Sequence, residues 1–168
     1  MIQTILLATD LSIYTTYLLH HVDALARRHS ASVVVLHAIE PGGEIGDVVV
    51  ETFLPVEARH ELQSLCIPRI IESVKSRILD TLEDEFIDGH SGLSAVRDVQ
   101  VVPGRAVDVI LEQAGRCNAD LIVVGSHGLN TPMPNMLGSV TSRILQLSRV
   151  PVYMVPLVRN VTSRLQAG

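Results

Sequence analysis

Short runs rich in valine, isoleucine and leucine alternate along this chain with segments in which apolar residues recur every three or four positions. The first pattern is typical of strands buried on both faces, and the second of amphipathic helices. This alternation predicts an α/β fold in which right-handed crossovers place helices on both faces of a parallel sheet. The predicted strands are residues 2–9, 31–39, 96–102, 120–124 and 150–155.

Four helical segments connect these strands. Ser12 is the expected N-cap of the first, which runs through Arg28. Pro68 is expected to kink or split the long segment 57–86, and residues 106–117 and 139–147 carry the other two helices. Residues 42–55 give a mixed pattern, because the valine run at 48–50 is compatible with a strand and the flanking glycines with a mobile loop, and the segment is left unassigned.

The size and charge of the chain narrow its possible partners. Its 168 residues and 18.3 kDa predict a single domain over residues 1–168, with a polar tail at 157–168. The net charge of −5 and the aromatic content of 3% argue against nucleic-acid binding. No apolar run approaches about 18 residues, so we expect no membrane span. Two isolated cysteines and the lack of a basic leader favour the cytoplasm.

Ligands of open parallel sheets bind beyond the carboxyl ends of the strands, so the residues that follow each strand matter most. After the fourth strand, Gly125, Gly128, Gly138 and Ser139 follow the spacing G-x2-G-x9-G-S. Glycines let a ligand approach the backbone closely, and a helix N-terminus offers unpaired amides. The pattern predicts an anion site without lysine, wide enough for a triphosphate and supported by the hydroxyls of Ser139 and Thr141. The alternative, a tight loop and a helix cap without a ligand, stays open at this point.

Other phosphate-binding folds lack their signatures here. A Walker loop requires Gly-Lys-Ser/Thr, but the single lysine, Lys75, lies in a helical stripe. A dinucleotide fold requires G-x-G-x-x-G after the first strand, and a flavodoxin requires a phosphate loop there, but residues 8–12 contain no glycine. A receiver domain requires a lysine after the fifth strand, where Val155 and Pro156 stand.

The glycine spacing, at the end of the fourth strand of a five-strand α/β chain, resembles the ATP-binding subgroup of the universal stress protein family. The resemblance is carried also by ILLATDLS at residues 5–12, VLHAI at 35–39, ADLIVVGSHG at 119–128 and GSVT at 138–141. It implies a three-layer, Rossmann-like sandwich of the adenine nucleotide α-hydrolase (HUP) type, with strand order 3-2-1-4-5. It also implies a homodimer that binds ATP, AMP or ADP, with Mg²⁺ or Mn²⁺ arriving on the phosphates.

The resemblance also assigns positions to the nucleotide. Asp10, with the backbone at Ala8 and Thr9, matches the nucleoside contact after the first strand, and Ala38 matches the contact on the adenine side. The chain departs from the family at residues 132–135, where the family often has a basic residue and this chain has PMPN. The segments that wrap the ribose and phosphates correspond to Gly125, Ser126, His127, Gly128, Leu129, Asn130, Thr131, Gly138, Ser139 and Val140.

Several of these side chains also have a purely structural interpretation. Asp10 alone would cap the turn that follows the strand, and His127 fits an exposed loop histidine better than a proton carrier. Arg105 and Arg143 fit phosphate contacts and plain surface cations equally well. The histidines lack metal-binding spacing, and His37 is expected as a hydrogen-bonded residue inside or at the end of a strand.

Three functions fit these features. The first is a cytoplasmic ATP-binding stress-response or regulatory module, in which the nucleotide orders residues 125–139 and biases dimer or partner contacts. The second is slow ATP hydrolysis or phosphotransfer, for which only His127 or Asp10 offers a base. The third is a nucleotide-free interaction protein, suggested by residues 132–135. The apolar strand at 151–155 is expected at a sheet edge, where it would pair with a second copy.

Overall fold

The fold is a five-stranded parallel sheet between two layers of helices, seen in a computed structural model that describes residues 1–40, 55–61, 65–86, 95–128 and 136–157. The strand order β3-β2-β1-β4-β5 confirms the predicted α/β class and topology. The strands are β1 (Thr4–Ala8), β2 (Ser32–Ile39), β3 (Val96–Pro103), β4 (Leu121–Gly125) and β5 (Val152–Val155). The helices are α1 (Thr15–His29), α2 (Val56–Glu61), α3 (Ile67–Phe86), α4 (Ala106–Arg116) and α5 (Ser139–Leu147).

The central strands are apolar on both faces, because each face of the sheet packs on its own layer of helices. Ile5 and Leu7 of β1 point into the core that α1 and α3 cover, whereas Leu6 points into the core beneath α4 and α5. In register, Ile5 lies beside Val33 of β2 on one side and beside Leu121 of β4 on the other. The three β1 residues have no exposed surface, which explains the continuous apolar run in the sequence.

Two helix starts differ from the sequence pattern. Tyr14 is the N-cap of α1, so the prediction that Ser12 caps this helix is wrong. A separate turn comes first, in which the amide of Thr15 donates to the carbonyl oxygen of Ser12 at 2.9 Å. The segment 57–86 is divided into α2 and α3, and Pro68 lies in the first turn of α3, where its missing N–H breaks no helical hydrogen bond.

The end of the described chain belongs to the core. Leu157, which the sequence pattern placed at the start of the polar tail, is only 3% exposed, and its amide donates to Oγ of Ser126 at 2.9 Å. Residues 158–168 and the valine run at 48–50 lie outside the described residues. None of the helices in the described ranges is long and apolar enough to cross a lipid bilayer.

The strand order creates a crevice at one edge of the sheet. From β1 the sheet grows to β2 and β3 on one side, and to β4 and β5 on the other. The helix that follows β1 covers one face, and the helix that follows β4 covers the opposite face. The two connections therefore diverge and leave a gap beyond the carboxyl ends of β1 and β4.

Candidate functional site

A cleft of about 540 Å³ occupies this crevice. It lies beyond the carboxyl ends of β1, β2 and β4 and is flanked by the first turns of α4 and α5. The predicted site residues that line it are Ala8, Thr9, Asp10, Ala38, Gly125, His127, Gly128, Gly138, Ser139 and Val140. The cleft therefore brings together residues from three strand ends that are far apart in the sequence.

The remaining predicted site residues do not all contribute to this surface. Ser126 is adjacent to the cleft, but its hydroxyl is hydrogen-bonded to the His127 ring and to the Leu157 amide. Leu129, Asn130 and Thr131 lie outside the described residues, as do Pro132 and the three residues after it. The binding role of every one of these residues stays a prediction.

The turn after β1 holds the Asp10 carboxylate in place. Its Oδ1 accepts a hydrogen bond from the Ser12 amide at 3.0 Å, so the structural role expected for Asp10 is present. Leu11 adopts a left-handed conformation with φ of 57°, and its amide donates to Oγ1 of Thr9 at 3.1 Å. The Thr9 hydroxyl is also 2.9 Å from that of Thr15, which ties the turn to α1.

His37 joins the ends of β1 and β2 at the floor of the cleft. Its Nδ1 lies 2.8 Å from the carbonyl oxygen of Thr9. Because a carbonyl oxygen can only accept, Nδ1 carries the proton in this hydrogen bond. The placement of His37 as a hydrogen-bonded residue near a strand end agrees with the expectation from the sequence, and its side chain also lines the cleft.

The glycines of the loop are required by close approaches of other atoms. A Cβ on Gly128 would lie 2.9 Å from Oδ2 of Asp10, and a Cβ on Gly138 would lie 3.1 Å from Cα of His127. The amide of Gly138 donates to the carbonyl oxygen of Ser126 at 2.9 Å and closes the base of the loop. Glycine at 128 and 138 therefore lets the Asp10 carboxylate and the start of α5 lie directly against the loop backbone.

Ser126 connects three parts of the site. Its Oγ accepts a hydrogen bond from the Leu157 amide and lies 2.9 Å from Nδ1 of His127. The His127 ring also meets Tyr14 edge-on, with 6.0 Å between the ring centres. Contacts on two sides therefore fix the orientation of His127 at the cleft.

The start of α5 offers backbone donors to the cleft. Within the described residues, the amides of His127, Gly128, Ser139 and Val140 have no hydrogen-bond acceptor. The N-cap is Gly138, which has no side chain to cap the helix, and the first turn contains no acidic residue. The Thr141 hydroxyl donates to the carbonyl oxygen of Gly125 at 2.8 Å, and the support that it was expected to give a phosphate stays a prediction. Open amides at a helix N-terminus are a suitable site for an anion.

The start of α4 is different, because the Glu40 side chain already accepts a hydrogen bond from one of its amides. The Oε1 of Glu40 accepts a hydrogen bond from the Ala106 amide at 2.9 Å, and Glu40 lines the cleft. The sequence analysis gives this residue no role. Its contact spans 66 residues of sequence, so no local pattern reveals it.

Neither arginine considered as a phosphate contact is among the residues that line the cleft. The side chain of Arg105 is 86% exposed and lies 3.9 Å from Asp108. Arg143 donates to Oε1 of Gln146 at 3.4 Å on the exposed side of α5. In the described structure both arginines contact neighbours on their own helices.

Comparison with known proteins gives a consistent family. A family model described as the universal stress protein family matches residues 1–65 and 71–156. The chain is 29% identical over 157 residues to the universal stress protein in the QAH/OAS sulfhydrylase 3′ region of Thermus aquaticus, covering 92% of this chain and 99% of that protein. It is 28% identical over 161 residues to universal stress protein MJ0577 of Methanocaldococcus jannaschii, covering 92% and 95% of the two chains.

Solved structures share the fold. Hypothetical protein MJ0577 has a TM-score of 0.66 at 24% identity and covers 95% of this chain and 99% of its own. A universal stress protein in complex with cAMP has a TM-score of 0.56 at 22% identity, with 92% and 97% covered. The universal stress protein from Archaeoglobus fulgidus in complex with dAMP has a TM-score of 0.53 at 19% identity, with 92% and 98% covered.

Proposed function

Because the chain belongs to the universal stress protein family, we propose that it is an adenine-nucleotide-binding regulatory module of the stress response. The nucleotide lies in the cleft with its phosphates on the open amides of α5 and the loop, and with its base toward β2 near Ala38. Asp10 contacts the ribose or base from the end of β1. ATP binds with Mg²⁺ or Mn²⁺ on its phosphates, and AMP or ADP occupies the same place.

The observation that carries this proposal is a set of backbone amides that have no acceptor among the described residues and lie beside a cleft of sufficient size. A cleft of about 540 Å³ is within the usual range for small-molecule sites. Related proteins of the same fold have been solved with cAMP and with dAMP, both adenine nucleotides. The ligand class therefore agrees with the chemistry that the α5 N-terminus offers.

The same proposal includes a homodimer in the cytoplasm. β5 is an edge strand of the described sheet, and an edge strand can pair with a strand of a second copy. Cys66 and Cys117 are free thiols, which fits a reducing compartment. Binding rather than catalysis is proposed, because the described contacts of Asp10 and His127, the two candidate bases, serve the turn after β1 and the loop after β4.

Thermal unfolding with and without nucleotide tests the proposal. A ligand at 100 times its Kd stabilises the native state by about 2.7 kcal/mol, which corresponds to a rise in Tm of roughly 5 to 10 °C for a chain of this size. We expect such a rise with AMP and with ATP plus Mg²⁺. No rise with either ligand, together with no nucleotide in the purified protein, would contradict the proposal.

The variant Gly138→Ala tests whether the nucleotide binds at the loop that precedes α5. The added Cβ lies 3.1 Å from Cα of His127, so the loop backbone has to move away from α5. We expect nucleotide affinity to fall at least tenfold, about 1.4 kcal/mol. The matched control is Gly115→Ala in α4, whose Cβ meets no atom within 4 Å. This control is expected to keep the affinity and to gain up to about 1 kcal/mol of stability.

A further inference from the structure

The cleft has a negative rather than a positive lining. Among the described residues that line it, Asp10 and Glu40 are acidic and none is lysine or arginine. Residues 128–142, which include the first turn of α5, contain no charged side chain. Among the described residues that line the cleft, no lysine or arginine is therefore available to balance the charge of a bound phosphate, and backbone amides with the positive end of the α5 dipole take that role.

Both carboxylates are held at the cleft by backbone hydrogen bonds. Oδ1 of Asp10 is 3.0 Å from the Ser12 amide, and Oδ2 lies where it would be 2.9 Å from a Cβ on Gly128. One oxygen of Glu40 is 2.9 Å from the Ala106 amide, so this carboxylate already accepts a hydrogen bond from the first residue of α4. The start of α4 therefore already carries carboxylates, those of Glu40 and Asp108, whereas the first turn of α5 contains no acidic residue.

We propose that Asp10 and Glu40 make the cleft selective for the charge of its nucleotide. It accepts adenine nucleotides whose phosphate charge is small, such as the monophosphate, or neutralised, as in the Mg²⁺ complex of the triphosphate. It disfavours the free triphosphate, whose extra negative charges meet two fixed carboxylates in a partly enclosed space. This inference rests on the proposed function, because it concerns the same cleft and the same class of ligand.

Titration calorimetry with three ligand conditions tests this selectivity. The conditions are AMP, ATP with EDTA and ATP with excess Mg²⁺, all at one ionic strength because salt screens charge. We expect metal-free ATP to bind at least tenfold more weakly than AMP. Addition of Mg²⁺ is expected to strengthen ATP binding at least tenfold and to change AMP binding less than threefold.

Two variants test whether the carboxylates are the cause. Glu40→Gln keeps an oxygen for the Ala106 amide and removes the charge, and Asp10→Asn does the same for the Ser12 amide. The readout is the ratio of Kd for metal-free ATP to Kd for AMP, which a general loss of binding does not change. We expect each variant to lower this ratio at least threefold. The control is Asp108→Asn, whose carboxylate is 69% exposed and outside the cleft, and it should leave the ratio unchanged.

The outcomes separate this inference from the proposed function. If metal-free ATP binds as tightly as AMP, the charge selectivity is wrong while nucleotide binding stands. If the selectivity is present but neither variant changes the ratio, its assignment to Asp10 and Glu40 is wrong. If no adenine nucleotide binds under any condition, both proposals fail.

Discussion

At the scale of single residues, the Asp120 carboxylate joins the starts of β1 and β4, at the end of the strands opposite the cleft. It directly precedes β4, and its Oδ2 accepts hydrogen bonds from the amides of Gln3 at 2.8 Å and Thr4 at 3.0 Å. These two backbone amides hold the pKa of the Asp120 carboxyl below its ordinary value. The ionised form therefore stabilises the start of β1 against β4.

The lowered pKa of Asp120 predicts a pH dependence of stability. The contribution is complete above the unfolded pKa, about 3.9, and is lost as the pH falls through the lower folded pKa. We expect Asp120→Asn to lower Tm at pH 7, and the difference from the natural chain to shrink as the pH falls toward 3. Circular dichroism melts across this range measure both chains.

A second substitution separates this effect from net charge. Asp80→Asn removes the same charge at an exposed position of α3. A difference in Tm that stays constant with pH for Asp120→Asn, or one that Asp80→Asn reproduces, would contradict a specific role for the Asp120 hydrogen bonds.

Residues of the cleft differ in how far the sequence predicts them. Asp10 and Gly128 follow strand ends, and this position together with the family resemblance predicts both as site residues. Their mutual contact, in which Gly128 has room only for a hydrogen beside Asp10, joins segments more than a hundred residues apart. Glu40 was missed as a functional residue for the same reason, because its partner is the Ala106 amide at the start of a later helix.

At the scale of elements, periodicity predicts helices and strands well wherever packing on the sheet decides them. The recurring apolar residues of the first helix, such as Leu18 and Val22, are buried in the core that α1 and α3 cover. The error at Ser12 arose at an element boundary, where a turn that includes the left-handed Leu11 precedes the helix. Boundaries depend on such local backbone choices, which the apolar pattern does not encode.

The joint between β4 and α5 gives a prediction at this scale. Thr141 is 5% exposed, and its hydroxyl donates to the carbonyl oxygen of Gly125 at 2.8 Å. Thr141→Val keeps the shape but leaves this acceptor without its partner, so we expect a loss of about 1 to 3 kcal/mol in the free energy of unfolding. Urea denaturation measures the change.

The matched control for this joint is Thr81→Val in α3. The Thr81 hydroxyl donates at 2.9 Å to the carbonyl oxygen of Arg77, but this hydrogen bond is exposed to water. We expect a change within about 0.5 kcal/mol there, as for most surface substitutions. Equal losses of unfolding free energy in the two variants would mean that the hydrogen bond between α5 and β4 stabilises the protein no more than an exposed one.

At the scale of the whole molecule, the alternation of strands and helices predicts the parallel sheet, and the family resemblance supplies the order of its strands. The order in turn places the cleft, because a sheet that grows in both directions from β1 opens at the carboxyl ends of β1 and β4. The sequence therefore predicts the position of this cleft, at the carboxyl ends of the strands. It did not reveal the acidic lining, which depends on contacts between distant segments.

The proposed homodimer depends on the exposed edge of β5. In the described sheet, this strand of four residues has a partner strand, β4, on one side only, and the Tyr153 side chain is 38% exposed. Lysine at the edge of a sheet opposes pairing with another chain, because its charge would be buried in the interface. We therefore expect the natural chain to sediment at twice its 18.3 kDa and Tyr153→Lys to sediment as a monomer.

A control at the opposite edge of the sheet makes this result specific. Leu79 is 40% exposed on α3, which packs beside β3, so Leu79→Lys adds the same charge at a distance from β5. We expect this variant to stay dimeric in sedimentation experiments at micromolar concentration. Because pairing through β5 would extend the sheet across two copies, loss of the dimer in Tyr153→Lys alone would place the contact at that edge. A natural chain that is monomeric at this concentration, or a Tyr153→Lys variant that remains dimeric, would contradict assembly through β5.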